Sequence, residues 1–430
     1  MSAIVGILNK QGIAIAADSA VTIDTLNGHK IFNGANKVFS LSKHHPVGIM
    51  IYNSASFLST PWEIIIKVYR KNIGSKSFNS LEEYKNDFID FIKAKGFYTD
   101  HNTKVSFLTS FFIYLFDDLN KTVFKENNLS VKTDFIFTDD EKAIISEGIK
   151  KYVNIYLNQL ADFDICEDFM NYTIEEFKTD CNESIDQLMN LYTTNGFNFD
   201  ESLKNEIISL LYKFTITKHD FCSYSGIVFV GYGELEIYPS LIPVNISIVC
   251  NNKLRFFTIQ NDVAKISNDL ESAIRPFAQT DVINTILSGS DPDLDDVYLE
   301  NFNFFFQKYN NLIIETLKDV DPKLIEKIKA IDIQPTIKEY ADLMMQTRKV
   351  KYIEPLMDAV STLSKEDLAE MAESLIYLTY LKRRITFAEE SVGGPVDVAV
   401  LTKGDGFIWL KRKHYFKPEL NRQFFDNYFN

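Results

Sequence analysis

Cysteine is scarce in this sequence. There are 4, at Cys166, Cys181, Cys222 and Cys250, and no two stand in a CxxC spacing. That excludes a disulfide framework for a chain of 430 residues and predicts reduced thiols in a cytoplasmic protein. Basic charge is also short: 45 Lys and Arg face 59 Asp and Glu, a net charge of -14. Nucleic-acid binding requires clustered cations to neutralise phosphates, and docking to an anionic membrane surface requires the same, so neither partner is expected. No apolar run approaches the ~20 residues of a membrane helix, and the start has no basic segment leading into a long apolar one, so no signal peptide is expected.

Several ligand-binding motifs are missing as well. Gly231-Tyr232-Gly233 follows an apolar run but lacks the GxGxxG spacing and a Walker lysine, and it reads as a strand-end turn. Asp291, Asp293, Asp295 and Asp296 have Asp296 and Phe302 where a calcium loop needs Gly and Glu, so they read as a solvated loop. His44-His45 falls in a turn ahead of Pro46, and Lys411-Arg412-Lys413 reads as part of a solvated strand. No cofactor and no metal are expected.

What is present is apolar volume. Hydrophobic residues make up 46% of the chain, with 35 Phe and 21 Tyr. A chain of this length holds two domains, or one domain with large insertions. Short β-branched runs at 2–8 and 13–17 flank Lys10-Gln11-Gly12 and predict a hairpin; 37–41 and 47–52 predict another pair. Apolar spacings of three and four over 60–96 predict two helices, the second capped by Ser80 with Glu83. Residues 97–222 stay helix-like. Strands return at 227–232, 244–250 and 254–259; residues 269–288 and 293–365 read as helical, and Ser364 caps a helix over 366–389. A hairpin over 396–410 turns at Lys403-Gly404-Asp405-Gly406. Strands and helices do not alternate regularly, which argues against a doubly wound parallel sheet.

The residues with a chemical reading lie near the two ends. Ser2-Ala3-Ile4-Val5-Gly6-Ile7, Gly12-Ile13-Ala14-Ile15-Ala16-Ala17-Asp18-Ser19 and Asn36-Lys37-Val38-Phe39 resemble the opening of a proteasome β subunit and of the bacterial peptidase HslV. Gly393-Gly394-Pro395-Val396-Asp397-Val398 resembles the glycine pair before that family's closing strand, and 227–233 resembles its central strand more loosely. The resemblance spans about half of the chain and is specific over 2–41.

It implies an α+β fold, a four-layer αββα N-terminal-nucleophile sandwich. Its core would comprise 2–96, 223–292 and 366–415, with a helical insertion at 97–222, a helical extension at 293–365 and a tail at 416–430. It implies hydrolysis of peptide or protein amide bonds by the Ser2 hydroxyl once Met1 is removed, with the freed α-amine as base. An α-amine titrates near 7.7–8.0, close to the working range of a general base. Lys37 would lower the amine's proton affinity and stabilise the alkoxide, and Asp18 would hold Lys37 charged. Asn53 and Ser54 stand where the family places a glycine that donates to the oxyanion. Glu389 and Ser391 stand near the family's Asp and Ser that support the α-amine. The resemblance implies a homo-oligomer, since relatives assemble into rings, often with an ATP-dependent unfoldase.

Each residue also has a plainer role. Met-Ser begins many proteins, Asp18 can cap a turn, and Lys37 can be a strand residue. Three alternatives follow: a catalytically silent scaffold, an amidase for a small molecule, and a helical interaction protein built on this core.

Overall fold

The computed structural model of the chain describes residues 2–25, 28–97, 100–129, 137–197, 199–317, 322–386, 392–414 and 416–423. It is a mixed α+β structure with antiparallel sheets. The chain forms two compact units, one of Met1–Ala35 with Lys265–Asn430, the other of Asn36–Ala264.

The first unit begins with β1 (Ala3–Asn9) and β2 (Gly12–Ala17), followed by a small hairpin of β3 (Val21–Thr25) and β4 (Gly28–Phe32). The predicted hairpin at 2–17 therefore forms, and Asn9 sets its turn. The Asn9 Oδ1 accepts the amides of Gln11 and Gly12, while its Nδ2 donates to the carbonyls of Val360 and Leu363. One side chain thus closes the turn and ties it to a distant segment.

The second unit contains β5 (Val38–Ser40), β6 (Val47–Asn53), the short pair β7 (Ser56–Phe57) and β8 (Thr60–Pro61), and then α1 (Trp62–Ile73) and α2 (Leu81–Lys95). Among the described residues the α-helices that follow are α3 (His101–Glu126), α4 (Asp139–Ala161), α5 (Ile174–Asp180), α6 (Asn182–Thr194) and α7 (Glu201–Ile216). The chain then returns to strands β9 (Ser225–Gly231), β10 (Ser240–Cys250), β11 (Lys253–Thr258) and the short β12 (Ala264–Lys265). The sheet runs β11-β10-β9-β6-β5. Trp62, Ile66, Tyr69 and Phe88 of α1 and α2 share one core cluster with Ile49, Phe229 and Val244 of this sheet. A second, aromatic-rich cluster joins α3 to α7 and reaches Ile248 and Cys250 of β10.

The first unit resumes with β13 (Ser272–Ala278), α8 (Asp281–Ser288), α9 (Pro292–Leu317), α10 (Pro322–Lys329), α11 (Gln334–Arg348), α12 (Glu354–Thr362), α13 (Lys365–Ile385), β14 (Asp397–Thr402) and β15 (Gly406–Lys411). Its sheet order is β13-β1-β2-β14-β15. The apolar stripe Leu368, Ala369, Ala372, Leu375 and Ile376 of α13 clusters with Val5, Ile7, Ala14 and Ala16 of that sheet.

Residues 269–288 correct the helical expectation: only the second half is helix, and 272–278 is β13. Pairing decides the matter, because β13 runs along the whole of β1 from Ala3↔Ala278 to Asn9↔Ser272. Pro276 is tolerated there because β13 is an edge strand. The acidic run also has partners. Asp291 accepts from Lys382 at 3.0 Å, and Asp295 from both Arg348 Nη atoms.

Candidate functional site

Within the first unit, β1 is flanked by β13 on one side and β2 on the other, so the backbone at its start is held from both. Ser2 immediately precedes β1 and is 4% exposed. Its carbonyl accepts the Gln279 amide at 3.1 Å. To present that amide, β13 ends with Ala278 at φ 67, a left-handed conformation that costs a non-glycine residue about 1–2 kcal/mol. The strained residue lies directly across the ladder from Ala3.

On the other side stands Asp18, 1% exposed and just past the end of β2. Its Oδ1 accepts the Ala3 amide at 2.9 Å, and its Oδ2 accepts the amides of Ala20 at 3.0 Å and Gly393 at 3.2 Å. The Asp18 amide in turn donates to the Ala3 carbonyl at 3.1 Å. An ionised carboxylate only accepts, so it suits a place where backbone donors converge. Asp18 thereby joins the start of β1, the turn after β2 and the glycine pair.

The glycine pair closes around Ser19. The Ser19 amide donates to the Gly393 carbonyl at 3.0 Å, and its hydroxyl donates to the Pro395 carbonyl. Gly394 has φ 75, and a Cβ there would come within 3.0 Å of the Asn33 Cβ and 3.2 Å of the Ser19 Cβ. Only glycine satisfies both limits.

Beyond the pair, Asp397 opens β14 opposite Ala17 and is 2% exposed. Its carboxylate pairs with the Lys413 ammonium and also accepts the Lys413 amide at 2.8 Å. This corrects the solvated-strand reading of 411–413, because the Lys413 side chain is only 11% exposed. Lys411 does point outward, to Glu373. The sequence carried a usable signal: Asp397 and Lys413 stand at the open end of one predicted hairpin, where antiparallel register brings such residues together. Ser19 and Asp397 stood in the quoted motifs without a role, Lys413 was read as part of a solvated strand, and Gln279 was overlooked.

Lys37 belongs to the second unit, immediately before β5. It is 3% exposed, and its carbonyl accepts the Ile51 amide at 2.9 Å. Asn53 lies two residues further along β6, so the register places Lys37 and Asn53-Ser54 at the same end of one strand pair. Asn53 has φ 61. Asparagine enters the left-handed region more readily than most residues, which explains how this turn forms without glycine. The Ser54 hydroxyl donates to the Ser56 carbonyl at 2.8 Å, and its amide to the Tyr224 carbonyl at 3.4 Å. The structure thus gathers Ser2 and Asp18 in one unit, and Lys37, Asn53 and Ser54 in the other. Glu389 and Ser391 lie outside the described residues. Among the described residues, no three His, Cys, Asp or Glu side chains group to hold a metal ion, and no helix is long and apolar enough to cross a membrane.

No model of a known protein family matches this chain. No curated protein matches it either. Among solved structures it is similar to Anbu (ancestral beta-subunit) from Yersinia bercovieri, at 8% identity and a TM-score of 0.27, covering 99% of this chain and 94% of that one. It is also similar to the Anbu (Gly-1) mutant from Hyphomicrobium sp. strain MC1, at 8% identity and a TM-score of 0.28, covering 100% and 95%. Membership of the proteasome β-subunit and HslV family, expected from the sequence, is corrected by these findings. No family model supports it, and likenesses of 0.27 and 0.28 are too weak to argue from.

Proposed function

We propose that this chain hydrolyses amide bonds of a peptide or protein with Ser2 as nucleophile, once Met1 is removed. The reading rests on the chemistry of the residues and not on kinship. The observation that supports it most is the two-sided fixing of the Ser2 backbone, by Gln279 just past β13 and by Asp18, just past β2, through Ala3. A nucleophile held in one orientation has already lost the freedom that attack would otherwise cost.

In this reading the freed α-amine of Ser2 takes the hydroxyl proton as the oxygen attacks the substrate carbonyl carbon. The same proton then goes to the departing amine, which leaves an acyl ester on Ser2. Water, activated by the α-amine, attacks the ester and regenerates the hydroxyl. The four-layer αββα arrangement belongs to the proposal, as does a role for Lys37 in lowering the proton affinity of the amine. Backbone amides at Asn53 and Ser54 are the candidate oxyanion donors. The Ser54 amide would first have to leave the Tyr224 carbonyl, a long bond at 3.4 Å. The partners in this reading are the substrate and further copies of the chain. An ATP-dependent unfoldase would be needed only for folded substrates.

Intact mass is the first test, and a mass that retains Met1 overturns the mechanism, because the base would not exist. With Met1 gone, a peptide epoxyketone should form a ring adduct using both the Ser2 hydroxyl and amine. The Ser2→Ala variant should lose the adduct and at least about a hundredfold in peptide hydrolysis. Hydrolysis at the wild-type rate in Ser2→Ala sinks the proposal.

The second reading is a non-catalytic scaffold. Asp18 favours it, because three backbone bonds to its carboxylate give it a structural role that requires no chemistry. Absence of both adduct and hydrolysis in a chain that lacks Met1 would select this reading.

A further inference from the structure

Two of the four cysteines meet inside the second unit. Cys181 stands between α5 and α6, and Cys250 is the last residue of β10. They are separated by 69 residues in sequence, yet their sulfurs are 2.8 Å apart. Both are buried, at 1% and 2% exposure. The Tyr172 hydroxyl lies 3.2 Å from the Cys250 sulfur and donates to Asp180 Oδ2 at 2.8 Å, and Asn251 Nδ2 donates to the same carboxylate oxygen at 2.9 Å. The tyrosine, the carboxylate and the turn after β10 therefore hold the sulfur pair in register. A disulfide is about 2.05 Å long, so an approach of less than about 1 Å completes the bond. Cys166 and Cys222 are also buried. Cys222 lies 3.9 Å from the Arg255 guanidinium.

We infer that Cys181 and Cys250 are a dithiol site that hydrogen peroxide converts to a reversible disulfide, linking the α5–α6 segment to the end of β10. The Cys250 sulfur attacks one peroxide oxygen; an S–O bond forms, the O–O bond breaks, and the departing hydroxide takes the Cys250 proton to become water. The Cys181 sulfur then attacks the Cys250 sulfur. The S–S bond forms, the S–O bond breaks, and hydroxide leaves as water with the Cys181 proton. Two thiols and one peroxide give one disulfide and two waters. The bond closes a long loop in the unfolded chain, which raises stability toward heat.

The experiment treats the full chain with hydrogen peroxide, unfolds it in alkylating reagent, digests it without reduction and reads the peptides by mass. The expected product joins the Cys181 and Cys250 peptides with the loss of two hydrogens and disappears with dithiothreitol, while Cys166 and Cys222 remain alkylated. The thermal midpoint should rise on treatment and return on reduction, and Cys181→Ala should show neither change. Alkylation of all four cysteines after peroxide, a first link between any other pair, or oxidation of Cys250 to sulfinic acid without a link overturns the inference.

Discussion

At the scale of single residues, Asp18 illustrates how a chemically suggestive side chain can be held by ordinary backbone demands. Its two oxygens serve the amides of Ala3, Ala20 and Gly393. Asp18→Asn keeps the shape but offers one acceptor oxygen, and it turns an NH2 group toward a backbone donor. The expected loss is roughly 1–3 kcal/mol for each bond broken, read as a lower urea midpoint. The same variant separates the two functional readings. If Ser2 is a nucleophile, hydrolysis should fall further than the folded fraction does, because the carboxylate reaches Ser2 through the very next amide. Sequence inspection singled out Asp18 for its chemistry, yet one of its backbone partners, Gly393, lies 375 residues away and carries no local signature.

At the scale of elements, α13 shows where sequence rules are most reliable. Ser364 was expected to cap it, and the cap forms: the Ser364 hydroxyl accepts the Asp367 amide while the Asp367 carboxylate accepts the Ser364 amide. Lys382 and Arg383 in the last turn pair with Asp281 at the start of α8. Replacing Ser364 with Ala should cost about 1 kcal/mol, measured as a shift in thermal midpoint, because an orphan amide at the helix start loses its acceptor. The strand β13 marks the opposite limit. Its residues Ser272–Ala278 read as the first half of a helix, and only pairing with β1 makes them a strand. Helix patterns repeat within a few residues, whereas a strand depends on a partner anywhere in the chain.

At the scale of the whole molecule, the second unit has its own core, and His219 provides a probe of it. It is 2% exposed, with its ring stacked between Phe214 at 4.2 Å and Phe221 at 5.2 Å. Its Nε2–H donates to the Phe214 carbonyl at 2.7 Å, and the Arg255 guanidinium donates to its backbone carbonyl at 2.8 Å. Burial, reinforced by the Arg255 charge, lowers its pKa from 6.5 to about 3. The folded ring is therefore neutral where the unfolded one binds a proton, so its contribution is complete above pH 6.5 and is lost progressively as pH falls toward 3. Between pH 5.5 and 4, the urea stability of the second unit should fall by about 1.4 kcal/mol per pH unit on this account, and His219→Phe should flatten that slope. An unchanged slope in the variant would refute the assignment.

The sequence by itself determined the α+β composition, the N-terminal hairpin, the capped helices and the suspicion attached to Ser2, Asp18 and Lys37, because each rests on neighbours in the chain or on a residue's own chemistry. Tertiary structure alone decided that 272–278 is a strand, that the Asp18 carboxylate receives the Gly393 amide, and that Cys181 touches Cys250. Each of those facts is a meeting of segments distant in sequence, and residue type and local spacing do not encode which distant partner arrives.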